Sequence, residues 1–439
     1  MKFFIHKLGC PKNDVDADYI AARLVDAGHT PVSAPNLADT IVVNTCGFIN
    51  DAKEESIDAI LDLAQLKKQG RLKTIYASGC LSQRYGDQML AQMRELDGAF
   101  GLGEVEAIAE AVTVSGRPRK VVRHDVRELA YLDWPSRFLT DSFPYAYIKI
   151  SDGCDRLCSY CAIPQMRGPY RSRPLAPIVT EARFLATNGK RELILVSQEA
   201  TLWGSDLGGK PRLVDLLGAL ESVDGIAWIR LLYLHPARTD RELVDYMADG
   251  TKTLDYFDLP LQHVSTPVLR RMKRESNRRT IERLLTDIEK KAPDATVRVS
   301  FMVGFPGETD AQFEELCDFV TERRFDRLGV FTFSAEEDTA AAKLAKQIPE
   351  KIKIERCDHL MTLQQVIAFE KNNSLIGIET EVIIDTVESE TRAEGRTSGD
   401  APEIDQIVLV QGHDLRVGEI CRVRIEHADG YDLTGTKVA

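Results

Sequence analysis

Ser151-Asp152-Gly153-Cys154-Asp155-Arg156-Leu157-Cys158-Ser159-Tyr160-Cys161 carries three cysteines at the spacing C-x-x-x-C-x-x-C. Three thiolates this close along a chain converge on one metal centre and leave a coordination position open. A zinc site draws four ligands, usually as two pairs. No fourth Cys or His follows nearby, since His124 and His235 are distant in sequence. An iron–sulfur cluster held by three cysteines keeps one iron free for a small molecule, which suits it to chemistry, whereas a fully ligated cluster only carries electrons. Zinc or a redox disulfide is the alternative for this triplet. Tyr160, between the second and third cysteines, is an aromatic able to shield a cluster or contact an adenine ring.

Upstream of this loop, residues 1–115 alternate strand-like runs (2–8, 40–44 and 73–77) with amphipathic helical stretches (14–27, 53–67 and 85–95). That alternation predicts an open parallel sheet with covering helices. Each run ends in a cysteine with glycine beside it: Gly9-Cys10, Cys46-Gly47 and Gly79-Cys80. In a parallel sheet the carboxyl ends of the strands share one edge, where ligands bind. Cys10, Cys46 and Cys80 are therefore candidates for a second metal site; buried structural thiols are the alternative. Residues 116–140, with Pro118, Trp134 and Pro135, read as a linker.

Downstream, residues 141–372 hold six strand candidates, at 145–150, 192–197, 228–234, 256–261, 296–303 and 327–333. Helical stretches separate them, among them 177–188, 279–290 and 311–323, and a long helix is expected over 349–372. Repeated strand–helix units predict a partial (β/α)6 barrel with its active groups at the carboxyl ends of the strands. The three-cysteine loop follows the first of these strands. Residues 373–439 change to short strands separated by glycines and acidic turns, which predicts a small antiparallel β-barrel. The fold class expected is thus α/β in three domains.

Hydrophobic content of 44% and charged content of 28% suit a soluble globular chain. No apolar run is long enough to span a membrane, and the polar start does not read as a signal peptide, so a cytoplasmic location is expected. In such a reducing compartment the nine cysteines serve as ligands or buried thiols. The net charge of −12 argues against a dominant nucleic-acid surface. From Ile376 onward 14 Asp and Glu face 6 Lys and Arg, so −8 of that charge lies in the last domain. Either a basic partner or a solubilising surface accounts for it.

C-x-x-x-C-x-aromatic-C after the first barrel strand resembles the radical S-adenosylmethionine (SAM) enzymes. That resemblance implies a 4Fe–4S cluster at Cys154, Cys158 and Cys161 whose open iron binds SAM and cleaves it to a 5′-deoxyadenosyl radical. Leu8-Gly9-Cys10-Pro11-Lys12-Asn13, Val43-Asn44-Thr45-Cys46 and Ser78-Gly79-Cys80 are similar to the amino-terminal domain of the methylthiotransferases, which implies a second 4Fe–4S cluster at Cys10, Cys46 and Cys80. The last domain resembles that family's TRAM domain. Lys7–Asn13, Ser151–Asp155 and Cys161-Ala162-Ile163-Pro164 resemble the RimO-type branch, which modifies an aspartate of small-subunit ribosomal protein twelve. Pro11 and Lys12 stand where the branch acting on tRNA adenosine has glutamine and methionine. A TRAM domain gripping tRNA phosphates is expected to be basic; this acidic one suits a basic ribosomal protein. The resemblance implies that one SAM methylates a cluster-bound sulfur, that a second generates the radical, and that the aspartate β-carbon takes the methylthio group. A flavodoxin or ferredoxin is implied as electron donor. The alternatives are a tRNA methylthiotransferase and, from another class, a ribosome-docking iron–sulfur sensor without turnover.

Other residues are weaker candidates. Ser197-Gln198-Glu199 ends the second barrel strand, and Ser197 and Gln198 are candidate SAM contacts. In Val303-Gly304-Phe305-Pro306-Gly307-Glu308-Thr309, Gly304, Gly307 and Glu308 either approach SAM or build a tight turn into a helix. Tyr233, His235 and His263 end strands and are equally readable as substrate contacts or packed side chains. Arg270-Arg271-Met272-Lys273-Arg274 reads as a solvated helix face in preference to a substrate or ribosomal RNA contact. Cys317, Cys357 and Cys421 have no useful spacing; the first two read as helix-packing thiols and Cys421 as a strand residue of the small barrel.

Overall fold

The computed structural model describes residues 1–114, 119–128, 137–139 and 141–438. Strand Thr40–Thr45 is buried along its whole length, as a central strand of a parallel sheet covered on both faces must be. Its alternation divides the core. Ile41 and Val43 pack with Ile60, Leu63 and Ile75 on one face. Val42 packs with Ile20, Leu24, Tyr76 and Ile108 on the other. The sheet runs Thr30–Pro31, Lys2–Lys7, Thr40–Thr45, Thr74–Gly79, Gly98–Phe100, Lys120–Val122, all neighbours parallel.

Strands Thr30–Pro31, Gly98–Phe100 and Lys120–Val122 and the starts of the helices differ from the sequence reading. Lys120–Val122 falls inside the stretch read as a linker (116–140) and forms the sixth strand of the sheet. Three residues are too few for a period-two pattern to register. Pro118, Trp134 and Pro135 lie outside the described residues. The helices begin earlier than expected, at Pro11 and Cys80. Cys10 and Gly79 are consequently helix caps, because the strand-to-helix turns are only a few residues long.

The central domain has two parallel three-stranded sheets. One orders Trp228–Leu231, Glu192–Val196, Tyr145–Lys149; the other orders Tyr256–Gln262, Thr296–Val303, Arg327–Thr332. The two meet where Leu234 N–H donates to the Asp258 carbonyl at 2.9 Å. Six strands in chain order thus form a partial barrel around one apolar core. Helix Glu350–Ser374 packs on strand Arg327–Thr332.

The last domain is a closed five-stranded barrel: Glu379–Ser389, Arg392–Thr397, Val408–Gln411, Asp432–Lys437, Ile420–Asp429. Arg392–Thr397 does not read as a strand from its sequence. Its Arg-Ala-Glu-Gly-Arg-Thr sequence lacks a β-branched run. Four pairings are antiparallel, and the pair Val408–Gln411 with Asp432–Lys437 is parallel. All three domains share one apolar cluster that includes Val15, Tyr19, Tyr147, Trp228, Tyr256, Ile383 and Ala401. Helix Pro11–Asp26 of the first domain and the loop after Thr397 of the third both close on the central barrel. Among the described residues no helix is long and apolar enough to cross a membrane.

Candidate active site

The three amino-terminal cysteines follow adjacent strands on one sheet edge, and glycine is what lets their turns close. Gly9 has φ +89°, and a Cβ there would stand 2.7 Å from Cys46 Cβ and 3.1 Å from its Sγ. Gly79 has φ +95°, and a Cβ there would stand 2.6 Å from the Thr45 carbonyl. The glycine beside each cysteine is therefore a packing requirement of the cluster of turns. Asn13 stitches them, its Nδ2 donating to the carbonyls of Leu8 at 2.9 Å and Thr45 at 3.2 Å. Burial, with Cys80 and Cys10 adding, pushes the Cys46 thiol up to about 11. Burial likewise raises Cys80.

Cys154, Cys158 and Cys161 lie at the carboxyl end of the first barrel strand. Two backbone N–H groups point at sulfur: Arg156 N donates to Cys154 Sγ at 3.4 Å and Ile163 N to Cys161 Sγ at 3.5 Å. The Arg274 guanidinium lies 4.0 Å from Cys158 Sγ. Burial raises Cys154 to about 11 and Cys161 to about 12. Without metal these are neutral thiols, and a metal would displace their protons. Among the described residues no three His, Cys, Asp or Glu side chains close around the space of a single ion. Three thiols with backbone N–H groups aimed at sulfur match the ligand chemistry of an iron–sulfur cluster.

The two cysteine edges face each other across a polar network that sequence reasoning missed. Arg167 donates to Asp152 at 3.1 Å and to Asn13 Oδ1 at 2.9 Å, and its charge acts on Cys80. Lys149 bonds Asp16 at 2.6 Å and Asp152 at 3.1 Å. Cys80 also packs against Ala162 and Met166, just past Cys161. Lys12 Nζ crosses from the first domain to donate to the Ser197 carbonyl at 2.9 Å. The contacts that cross between the domains, Lys149 to Asp16, Arg167 to Asn13 and Lys12 to Ser197, join residues 133, 154 and 185 apart in sequence, so no local pattern announces them.

The structure sorts the weaker candidates. Gln198 has its amide nitrogen and oxygen both buried without a partner, and Gln262 Oε1 is likewise unpartnered. Such orphaned groups at the carboxyl ends of barrel strands fit a polar small molecule between the cysteine loops. Ser197 is fully buried; its hydroxyl caps Glu199 N at 3.0 Å. Glu199 pairs with Arg156 at 3.1 Å. Tyr160 is half-buried against the barrel core, with Arg274 and Cys158 beside it. Gly304 has its open side filled, since a Cβ would stand 2.3 Å from the Lys353 stem. Gly307, at φ +78°, faces Arg271 at ordinary contact distance. Glu308 is 3% exposed, pairs with Arg356 at 3.1 Å and accepts from Phe305 N at 3.0 Å. The cap of the following helix is Thr309. For Gly304 and Glu308 the structural reading is the one these contacts favour. Of the basic run, Arg274 and Arg271 point inward, onto the Pro260 and Gly307 carbonyls, and only part of it is a solvated face. His235 and His263 are buried and held neutral, pushed down to about 2 and about 3 chiefly by burial. Cys317 and Cys357 are helix residues packed on the barrel core, and Cys421 is in the core of the last barrel.

Comparison with known proteins agrees with this layout. The model described as uncharacterized protein family UPF0004 matches residues 2–101, the radical SAM superfamily 148–320 and the TRAM domain 376–438. Among solved structures, the radical SAM methyltransferase TsrM from Kitasatospora setae is similar with a TM-score of 0.55 at 16% identity, over 75% of this chain and 71% of that one. This is a likeness of fold. Ribosomal protein uS12 methylthiotransferase RimO of Geobacter sulfurreducens is 42% identical over 98% of this chain and 96% of its own. The protein of that name from Lachnoclostridium phytofermentans is 44% identical over 99% of this chain and 100% of its own. Identity at that level runs through all three domains in the same order, and so the chain belongs to the RimO family of radical SAM methylthiotransferases.

Proposed function

We propose that this chain is a SAM-dependent methylthiotransferase that adds a methylthio group to the β-carbon of an aspartate in ribosomal protein uS12. The observation that carries the reading is the full-length identity to proteins bearing that name. Cys154, Cys158 and Cys161 would hold one 4Fe–4S cluster with SAM, and Cys10, Cys46 and Cys80 a second. When bound, these groups supply one-electron cleavage of SAM, hydrogen abstraction and the sulfur to be transferred. The chain's own residues do the rest. Arg274 and the N–H groups of Arg156 and Ile163 stabilise negative sulfur. Gln198 and Gln262 offer free polar atoms to SAM. The Lys149, Arg167, Asp16 and Asp152 network fixes the distance between the two edges. The surrounding burial keeps water from a reactive centre. A flavodoxin or ferredoxin delivers the electron, and the reaction takes place in the cytoplasm.

The test is mass spectrometry of small-subunit proteins and tRNA from cells with and without the gene. Gain of one methylthio mass on uS12, dependent on the gene, is expected, together with about eight irons per reconstituted chain, about four per cluster. Modification of tRNA with uS12 untouched would overturn the substrate. Docking on ribosomes with neither modified would make the chain a sensor.

A further inference from the structure

Lys12 stands outside the ion pairs of the network around it. It stands two residues after Cys10, in the first turn of helix Pro11–Asp26, and is 7% exposed. Its ammonium donates to the Ser197 carbonyl at 2.9 Å and lies 4.1 Å over the Tyr233 ring. Neither is an anion, and among the described residues it enters no ion pair. Nearby, Lys149 and Arg167 are matched by Asp16 and Asp152, which leaves Lys12 over. A buried ammonium with no counter-ion is strongly disfavoured, and the observed contacts use one of its three hydrogens. The site holding it is built with effort. Tyr233 adopts φ +63°, a region a bulky aromatic enters only under constraint. Its N–H is pinned to Asp258 Oδ2 at 2.9 Å.

We propose that Lys12 binds the side-chain carboxylate of the target aspartate and so selects that residue, the Tyr233 ring and the Ser197 carbonyl holding the ammonium between the two cysteine edges. This rests on the reading that the substrate is an aspartate. A carboxylate supplies the missing counter-ion, and its β-carbon is one bond from the carboxyl carbon, so gripping one places the other. Two other anions compete for Lys12. The thiols of Cys10 and Cys80 act on Lys12 as they act on Arg167, so they are the rival for its charge, and the iron content of Lys12→Met separates the two. The carboxylate of SAM belongs with the other triplet, whereas the thiols near Lys12 are those of Cys10 and Cys80.

The experiment measures binding of labelled uS12, and of its variant with asparagine at the modified position, to iron-reconstituted enzyme by fluorescence anisotropy. Wild type is expected to prefer the aspartate form by roughly ten- to a hundredfold, the worth of one charge-assisted hydrogen bond. Lys12→Met is expected to bind both forms alike, and Lys12→Arg to recover most of the preference, all with equal iron. Should Lys12→Met not fold, Lys12→Gln is read in the same way. The proposal falls if wild type does not discriminate or if Lys12→Met keeps the preference. It falls too if Lys12→Met loses iron, which assigns the charge to the cluster, or weakens binding of SAM alone. Wild type that modifies tRNA and leaves uS12 untouched removes the functional reading and this proposal together. Wild type that modifies the aspartate while Lys12→Met still discriminates removes this proposal alone.

Discussion

Arg274 beside Cys158 sets one sulfur of the central triplet apart from the other two, which receive backbone N–H groups instead. Replacing Cys158 by Ala is expected to remove about half the iron, about four of eight, and to abolish SAM cleavage while the amino-terminal triplet stays loaded. Iron analysis with cluster spectroscopy checks this, and full iron in the variant would exclude Cys158 as a ligand. The buried histidines give a pH dependence. His263 Nδ1 accepts from the N–H groups of Val264 and Ser265, both at 2.9 Å, so the folded ring is neutral with its proton on Nε2. Its pKa falls from 6.5 to about 3 on folding, first through burial and then through Arg271 and Arg356. Between those values the unfolded chain binds more protons. Its stabilising contribution is therefore present above pH 6.5 and is lost on acidification by about 1.4 kcal/mol per pH unit. The melting midpoint should fall from pH 7 to pH 5, and fall less for His263→Asn, whose Oδ1 can accept the same two N–H groups. Equal slopes in wild type and variant would remove His263 as a cause. The six cysteines were legible from spacing and from position at strand ends. Arg274 was not read as a cysteine partner, since it lies 116 residues from Cys158 and sits in a run of like charges that reads as surface.

At the scale of elements, the strand-to-helix turns carry the site. The periodicity reading found strands Lys2–Lys7, Thr40–Thr45 and Thr74–Gly79 because each buries a pattern long enough to register. It missed Thr30–Pro31, Gly98–Phe100 and Lys120–Val122, which hold two or three residues. It set the helices late because a helix that starts one to five residues after a strand, as at Cys80, Pro11 and Asn50, leaves little loop to see. The turn at Gly9 is the tightest test of this geometry. Gly9→Ala places a methyl against Cys46 in a left-handed backbone region, a penalty of about 1–2 kcal/mol before the clash is counted. The expected outcome is loss of iron from the amino-terminal triplet with the central one intact, measured as about half the normal iron content. Unchanged iron would mean that the turns can spread without losing the cluster.

At the scale of the molecule, the last domain is bolted to the amino-terminal end of the central barrel by buried charge. Glu192, fully buried, bonds Arg230 at 2.7 Å and Arg396 of the last domain at 2.8 Å. Asp405 meets Arg298 at 3.3 Å and the Tyr256 hydroxyl at 2.6 Å, and Asp400 meets Arg327 at 2.5 Å. Part of the −8 charge of that domain therefore answers cations of its own chain, a third role beside the basic partner and the solubilising surface that the sequence offered. Glu381, Glu390, Asp414, Glu426 and Asp429 remain outward-facing for such a partner. Glu192→Gln leaves the buried Arg230 without its carboxylate and Arg396 with Asp385 alone, at a cost of about 3–5 kcal/mol. It should lower the melting midpoint and expose the junction after Ser374 to limited proteolysis. A variant as resistant as wild type would show that the apolar cluster alone holds the domain.

By itself the sequence determined the cysteine sets, the order of three domains and the chemistry they resemble, because ligand spacing and hydrophobic period are local properties of a chain. Only the tertiary structure decided what lies between the sets. Pairing Lys149 and Arg167 with Asp16 and Asp152, leaving Lys12 without a counter-ion, and turning Asp400 and Asp405 inward are outcomes of packing between domains. A charge in a sequence has no partner until folding removes the water that would otherwise serve as one.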